Sequence, residues 1–404
     1  MTELKPGWQR VKFGEVVRLN KENCKDPEAA GIKRVIGLEH LEPGDLRVRS
    51  WADVADGTTF TNRVRPGQVL FGKRRAYQRK VAVADFDAVC SGDIYVLESA
   101  DPERLLPDLL PFICQTDAFF EHAVETSAGS LSPRTSWKSL VNYEFALPPL
   151  EAQLMLAQVL IRAREMTSSL SAVAQASRRL HRSYIDSVLA NGVGQSRFSP
   201  GHPRLSPGWT YQPIESLCSD IVDCLHRTPV YSEQGYPAIR TSDIEPGILK
   251  WETANRVSES EYKIQVARLV PQHGDILFSR EGERMGMAAI VPEGVAICIC
   301  QRMMHLRAIE GFPPGLIAEF LNSSWVQSQI AMHTSGSTAP HVNVGDVRSF
   351  MVPVPPREFW NEFAYRSKAL LDVVALSQLK ANQALQFLSK LSAKLLGEGG
   401  FDVH

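Results

Sequence analysis

The second half of this chain repeats the first. Pro6-Gly7-Trp8 returns as Pro207-Gly208-Trp209, 201 positions later, and Gly67-Gln68-Val69-Leu70-Phe71 returns as Gly274-Asp275-Ile276-Leu277-Phe278, 207 later. Cys90 closes one apolar run and Cys300 closes another. Gly129-Ser130 with Pro133 answers Gly336-Ser337 with Pro340, and Leu147-Pro148-Pro149 answers Val354-Pro355-Pro356, both at 207. A period of half the chain limits the architecture to two copies of one unit.

Within each copy the texture changes at the Pro-Pro pair. Before it, short apolar segments such as Gly67 to Phe71, Val81 to Val83 and Ile94 to Leu97 are bounded by Gly, Pro and Asp, the pattern of strands between turns. After it, Glu151 to Ala190 and Arg357 to Leu396 contain neither Pro nor Gly, and each reads as a helix of about 60 Å. In the second, Trp360, Phe363, Ser367, Leu370, Val374, Ser377, Ala381, Ala384, Leu388, Leu391 and Leu395 step by three and four throughout. In the first, the row is Leu156, Val159, Ala163, Met166, Leu170, Val173, Ser177, Leu180 and Tyr184. Such narrow stripes are coiled-coil seams, and the nearest partner for each is its own repeat. Asn191-Gly192 and Gly397 are expected as helix stops. The expected boundaries are a globular unit at 1–149, a helix at 150–192, a linker at 193–207, a second globular unit at 208–356 and a second helix at 357–397.

Composition narrows the function classes. The 404 residues suit two to three domains, and 44% hydrophobic with 22% charged residues suits buried cores rather than disorder. With 44 Lys and Arg against 45 Asp and Glu, the net charge is -1, so any anion-binding surface must be local. Seven Cys without a CxxC pair fit neither a disulfide framework nor a zinc ribbon, and point to reduced thiols and a cytoplasmic location. No signal peptide or membrane span is expected.

The local exception lies between Asp56 and Asp85, where 28 consecutive residues hold Arg63, Arg65, Lys73, Arg74, Arg75, Arg79 and Lys80 and no acid, with Phe60, Phe71 and Tyr77 interleaved. Such a cluster can neutralise phosphates, and Arg can pair with guanine; a solvated cationic loop is the plainer alternative. Its counterpart, Ser279-Arg280-Glu281-Gly282-Glu283-Arg284, mixes in acids. Gly67 to Lys73 fits the first seven positions of a phosphate loop, but Arg74 follows where Ser or Thr is needed. None of the Pro-Pro pairs has the Asn or Asp that a base-flipping adenine methyltransferase requires, and Pro107-Asp108 and Glu261-Tyr262-Lys263 lie in different halves, unlike a nuclease motif. Cys298 and Cys300 with His305 are read as a buried strand face rather than a metal site. His226, His341 and Asn343 are base contacts or turn residues.

The order of a variable globular unit, a Leu-Pro-Pro-x-x-x-Gln entry into a long helix, and both again resembles the specificity subunit of type I restriction-modification systems over essentially the whole chain. The resemblance rests on Trp8 and Trp209, Gly67 to Phe71 and Gly274 to Phe278, Gly129-Ser130 and Gly336-Ser337, and Leu147 to Gln153; in the second copy Phe359 stands near the family's Gln. It implies an α+β fold of two target recognition domains, each followed by a long helix, with the helices paired as an antiparallel coiled coil. It further implies a subunit without catalysis of its own that reads a split site in double-stranded DNA. That subunit would bind two methyltransferase subunits and, optionally, restriction subunits. Cofactors, S-adenosylmethionine and ATP with Mg, would sit on the partners, with no metal on this chain. The DNA-contacting candidates are Lys73, Arg74, Arg75, Tyr77, Arg79, Lys80, Arg280, Arg284 and Arg302. The rival readings are a DNA methyltransferase or nuclease active in its own right, and a coiled-coil scaffold with incidental globular ends.

Overall fold

The computed structural model describes residues 4–193, 205–334 and 341–396. The expected linker at 193–207, the landmark Gly336-Ser337 with Pro340, and Gly397 lie wholly or mostly outside the described residues. The chain divides into two compact units, one built from residues up to Ser169 together with those from Ala381 onward, the other from Leu170–Lys380.

Each unit carries the same sheet. In the first, strands Val17–Leu19, Ile94–Ser99, Val69–Gly72 and Val81–Val83 lie in that order, all antiparallel. In the second, Cys218–Asp223, Met303–Ala308, Ile276–Ser279 and Ala288–Ile290 reproduce the order. The two repeat landmarks are thus the same inner strand, and both are fully buried, which is why they read as continuous apolar runs. The turn before each strand is closed alike: Gln68 Oε1 accepts the Arg65 N–H at 2.8 Å, and Asp275 Oδ2 accepts that of Gln272 at 2.8 Å. A smaller mixed sheet accompanies each, its parallel pair being Arg34–Ile36 with Ala88–Cys90 in one unit and Tyr236–Ile239 with Cys298–Ile299 in the other. Cys90, Cys298 and Cys300 are buried there, and burial pushes each thiol up to about 12.

The long helices run Leu150–Val193 and Arg357–Leu396. Their pairing is antiparallel within each unit. In the first, Leu156 and Leu160 share a core cluster with Leu395, and Thr167 Oγ1 lies 3.4 Å from the Ala384 carbonyl. In the second, Arg178 reaches Gln378 at 3.1 Å, His181 lies 3.4 Å from Ser367 Oγ, and the Tyr184 and Phe363 rings stand 6.0 Å apart. The seam expected on the second helix is observed: Phe363, Val374 and Leu395 are buried, and Trp360, Leu370, Leu388 and Leu391 are half-buried.

On the first helix the expected row is wrong by one residue, about 100° around the axis. Leu156 is buried and Leu170 half-buried, but Val159, Met166, Val173 and Leu180 are about half exposed. The buried row is Gln153, Ala157, Leu160, Thr167, Ala174, His181, Ile185 and Leu189. Its polar members are tied internally. Gln153 Nε2 donates to the Arg104 and Pro148 carbonyls while its Oε1 accepts the Leu106 N–H; Thr167 Oγ1 donates to the Ala163 carbonyl at 2.9 Å. Ala163, Ser177 and Tyr184 of the expected row are also half-buried, so that row straddles the seam's edge. The most apolar reading took in four exposed residues while leaving out the buried polar ones.

Two further expectations are corrected. Asn191-Gly192 does not stop the first helix, which continues through Val193. Gly192 instead makes room for Trp209, whose ring carbons lie 2.3 Å from where a Cβ would stand. The second-copy counterpart of Gln153 is Trp360 rather than Phe359: its Nε1 donates to the Pro355 carbonyl at 2.8 Å, as Gln153 donates to Pro148.

Candidate nucleic-acid interface

In the first unit the inner strand leads into a loop whose backbone fixes the cationic cluster. Lys73 N–H donates to the Asp93 carbonyl at 3.0 Å, and the Lys73 carbonyl accepts the Thr135 N–H at 3.0 Å. Gly72 N–H closes the loop on the Lys80 carbonyl at 2.9 Å. Arg75 and Arg79, at φ 54° and 56°, flank a single turn at Ala76–Gln78 in the left-handed region that side chains other than glycine rarely adopt. Arg75 N–H donates to the Pro133 carbonyl at 2.7 Å, bracing this loop against the segment 127–135.

The side chains divide into two groups. Lys73 Nζ stands 4.7 Å above the Tyr95 ring. Arg74 Nη1 and Arg134 Nε grip the two oxygens of Asp93 at 3.2 and 2.9 Å, and Arg74 and Arg75 donate to Ser132 Oγ at 3.2 and 3.3 Å. Burial alone would raise the Asp93 carboxyl, but the hydrogen bonds from Arg134 and Arg74 hold it below its ordinary value. Two arginines thus share one carboxylate, with Arg75 tied to the same Ser132 as Arg74. Tyr77 is exposed on the same turn. Arg79 and Lys80 face elsewhere: Arg79 pairs with Asp117 and lies over Phe120, and Lys80 Nζ donates to the Leu38 carbonyl at 2.9 Å. The sequence reading missed Asp93, Ser132 and Arg134, although Arg134 directly follows the Pro133 landmark.

The second unit keeps the backbone scaffold and changes the charges. Arg280 stands where Lys73 does, its N–H donating to the Arg302 carbonyl at 3.0 Å and its carbonyl accepting the Val342 N–H at 2.9 Å. Arg280 is buried, with Nε 3.3 Å from Asp223 Oδ1 but not aligned as a hydrogen bond. Arg302, left-handed at φ 69°, is exposed and pairs with Glu281 at 3.3 Å. Arg284 stands apart, donating to the Ile244 carbonyl and facing Glu245, which also takes Arg178 and Lys250. Burial would raise Glu245; Lys250 and Arg178 bring it to about 2. Its neighbours reveal a repeat that the sequence reading overlooked, Glu42-Pro43-Gly44 against Glu245-Pro246-Gly247. His226 pairs with Asp223 at 3.0 Å, and Asn343 N–H donates to Asp346 at the start of a short helix. His305 is committed to Asp275, and no group of three or more metal-ligating side chains occurs among the described residues. No described helix is long and apolar enough to cross a membrane.

No protein-family model matches the chain. It is 29% identical over 124 residues to the type I restriction enzyme EcoDI specificity subunit of Escherichia coli, covering 28% of this chain. The match spans 26% of that relative's length. In structure the chain is similar to the type I restriction-modification system S subunit from M. genitalium, with a TM-score of 0.58, 14% identity and coverage of 100% of this chain and 98% of the other. A chain from a study of complex assembly and conformational transition of the type I R-M system superposes with a TM-score of 0.52 and 18% identity over 100% of both. These two full-length matches show the fold.

Proposed function

We infer that this chain is the specificity subunit of a type I restriction-modification system, reading double-stranded DNA and catalysing nothing itself. The observation that carries the reading is the duplicated fold, matched from end to end by such a subunit. The cationic loop at Lys73, Arg74, Arg75 and Arg134 supplies a local concentration of positive charge on a chain of net charge -1. Residues 1–149 and 208–356 are the two readers, each taking one half of a split site. Their different charge patterns on one backbone scaffold suit two different sequences.

On this reading the methyltransferase subunits, two in number, and optional restriction subunits carry the chemistry, with S-adenosylmethionine and ATP with Mg bound to them. Exposed apolar residues of the first long helix, Val159 and Met166 in one unit and, separately, Val173 and Leu180 in the other, are offered to protein partners. Purified chain, selected against a library of random duplexes, should enrich a split sequence with binding that falls steeply with salt. Assayed alone it should neither methylate nor cleave DNA. Methyl transfer or cleavage by the chain alone would make it an enzyme in its own right. Failure to enrich any sequence would leave a coiled-coil scaffold.

A further inference from the structure

Leu131 is 90% exposed, more than any other large apolar side chain among the described residues. A single exposed leucine on a surface is ordinary, but this one stands at the apex of a braced loop. Ala128 and Arg134 exchange backbone hydrogen bonds of 3.0 and 2.9 Å, closing residues 129–133 into a hairpin end. Gly129, at φ 112°, allows the reversal. The C-terminal limb is fastened to the cationic loop, through the Pro133 carbonyl, the Thr135 N–H on the Lys73 carbonyl, and Ser132 Oγ, which takes both Arg74 and Arg75. Arg74 and Arg75 are only partly buried, so their guanidiniums keep an open side beside the apex. An apolar tip held rigidly among cations matches a duplex, whose charged backbone flanks an apolar base stack.

We propose that Leu131 is a wedge that the first unit inserts against the base-pair stack, while Arg74, Arg75 and Arg134 hold the adjacent phosphates. Insertion partly unstacks one base step and bends the duplex, so the loop reads deformability as well as charge. The proposal rests on the DNA-recognition reading and adds to it a specificity residue. The second unit keeps the bracing, through Val342 N–H and the Arg280 carbonyl and through the bridge between Glu281 and His341. By the 207 offset it has Thr338 where the first has Leu131, in a segment outside the described residues. The distortion therefore belongs to one half-site.

The test uses the full chain and the duplexes it enriches from a random library. 2-Aminopurine scanned through the first half-site reports unstacking, and gel mobility of circularly permuted fragments reports bending. Leu131→Ser should bind about tenfold more weakly, lose the 2-aminopurine signal and the bend, and melt at the same temperature, because the side chain is exposed. Leu131→Phe should retain all three. Leu131→Lys should lose the signal and the bend despite its added charge. Unchanged affinity and signal in Leu131→Ser overturns the wedge and leaves DNA recognition standing. A wild-type chain that enriches no duplex overturns both.

Discussion

Asp275 is buried just before the inner strand of the second unit, where Arg307 reaches both its oxygens at 2.7 and 2.8 Å and His305 Nε2 lies at 2.7 Å. Burial alone would raise the carboxyl, but Arg307 and His305 bring it to about 2, below the ordinary 3.8. A depressed carboxyl contributes stability that is present above its unfolded value and lost as pH falls through its folded one. Stability should therefore drop by roughly 2 kcal/mol between about pH 4 and pH 2 on account of this residue. Denaturant unfolding of Asp275→Asn should show a shallower decline over that window, and an identical decline would remove Asp275 from the account. In the first unit, replacing Lys73, Arg74 and Arg75 with Ala should weaken DNA binding and reduce the slope of log K against log salt by about 0.9 for each phosphate that is no longer neutralised. An unaltered slope would mean that the loop is only solvated.

The two helix crossings show how copies of one element diverge. Glu319 Oε1 is shared by Ser367 Oγ and His181 Nε2, and all three side chains are buried. At the offset of 207 these positions correspond to Phe112, Leu160 and Leu388, which belong to an apolar cluster in the first unit. Removing one partner of a buried polar set leaves the others uncompensated, so Glu319→Ala should cost about 3–5 kcal/mol. Importing the whole apolar set, Glu319→Phe with Ser367→Leu and His181→Leu, should be neutral or stabilising in thermal unfolding. Gly192→Ala should reverse the usual helix preference of about 1 kcal/mol for Ala over Gly, because the Trp209 ring occupies the space; a raised melting temperature would contradict this. These sites also mark the limits of legibility. The inner strands and the seam of the second helix could be read because their apolar residues coincide with their buried ones. The row of the first helix could not, since Gln153, Thr167 and His181 are buried through hydrogen bonds that sequence spacing does not reveal. The same holds for the interface: Arg134 meets Asp93 across 41 positions, and Arg280 meets Asp223 across 57.

At the scale of the whole molecule, the duplication makes each globular unit a module with its own scaffold and its own charges. Exchanging residues 208–356 for the corresponding unit of a relative should change one half of the recognised sequence and leave the other intact. Selection of the exchanged chain against a library of random duplexes would check this, and a change in both halves would show that the units read jointly. The composition of the first unit adds a temporal constraint. Its core includes Leu395, with Leu388 and Leu391 packed against it, yet the rest of that core lies at or before Leu160. At about 5–20 residues per second, the roughly 230 residues between Leu160 and Leu395 take on the order of ten to fifty seconds to emerge from a ribosome. Throughout that interval the part synthesised first lacks the last pieces of its interior. Translation itself thus sets when the first unit becomes complete: its final closure follows production of every residue of the second.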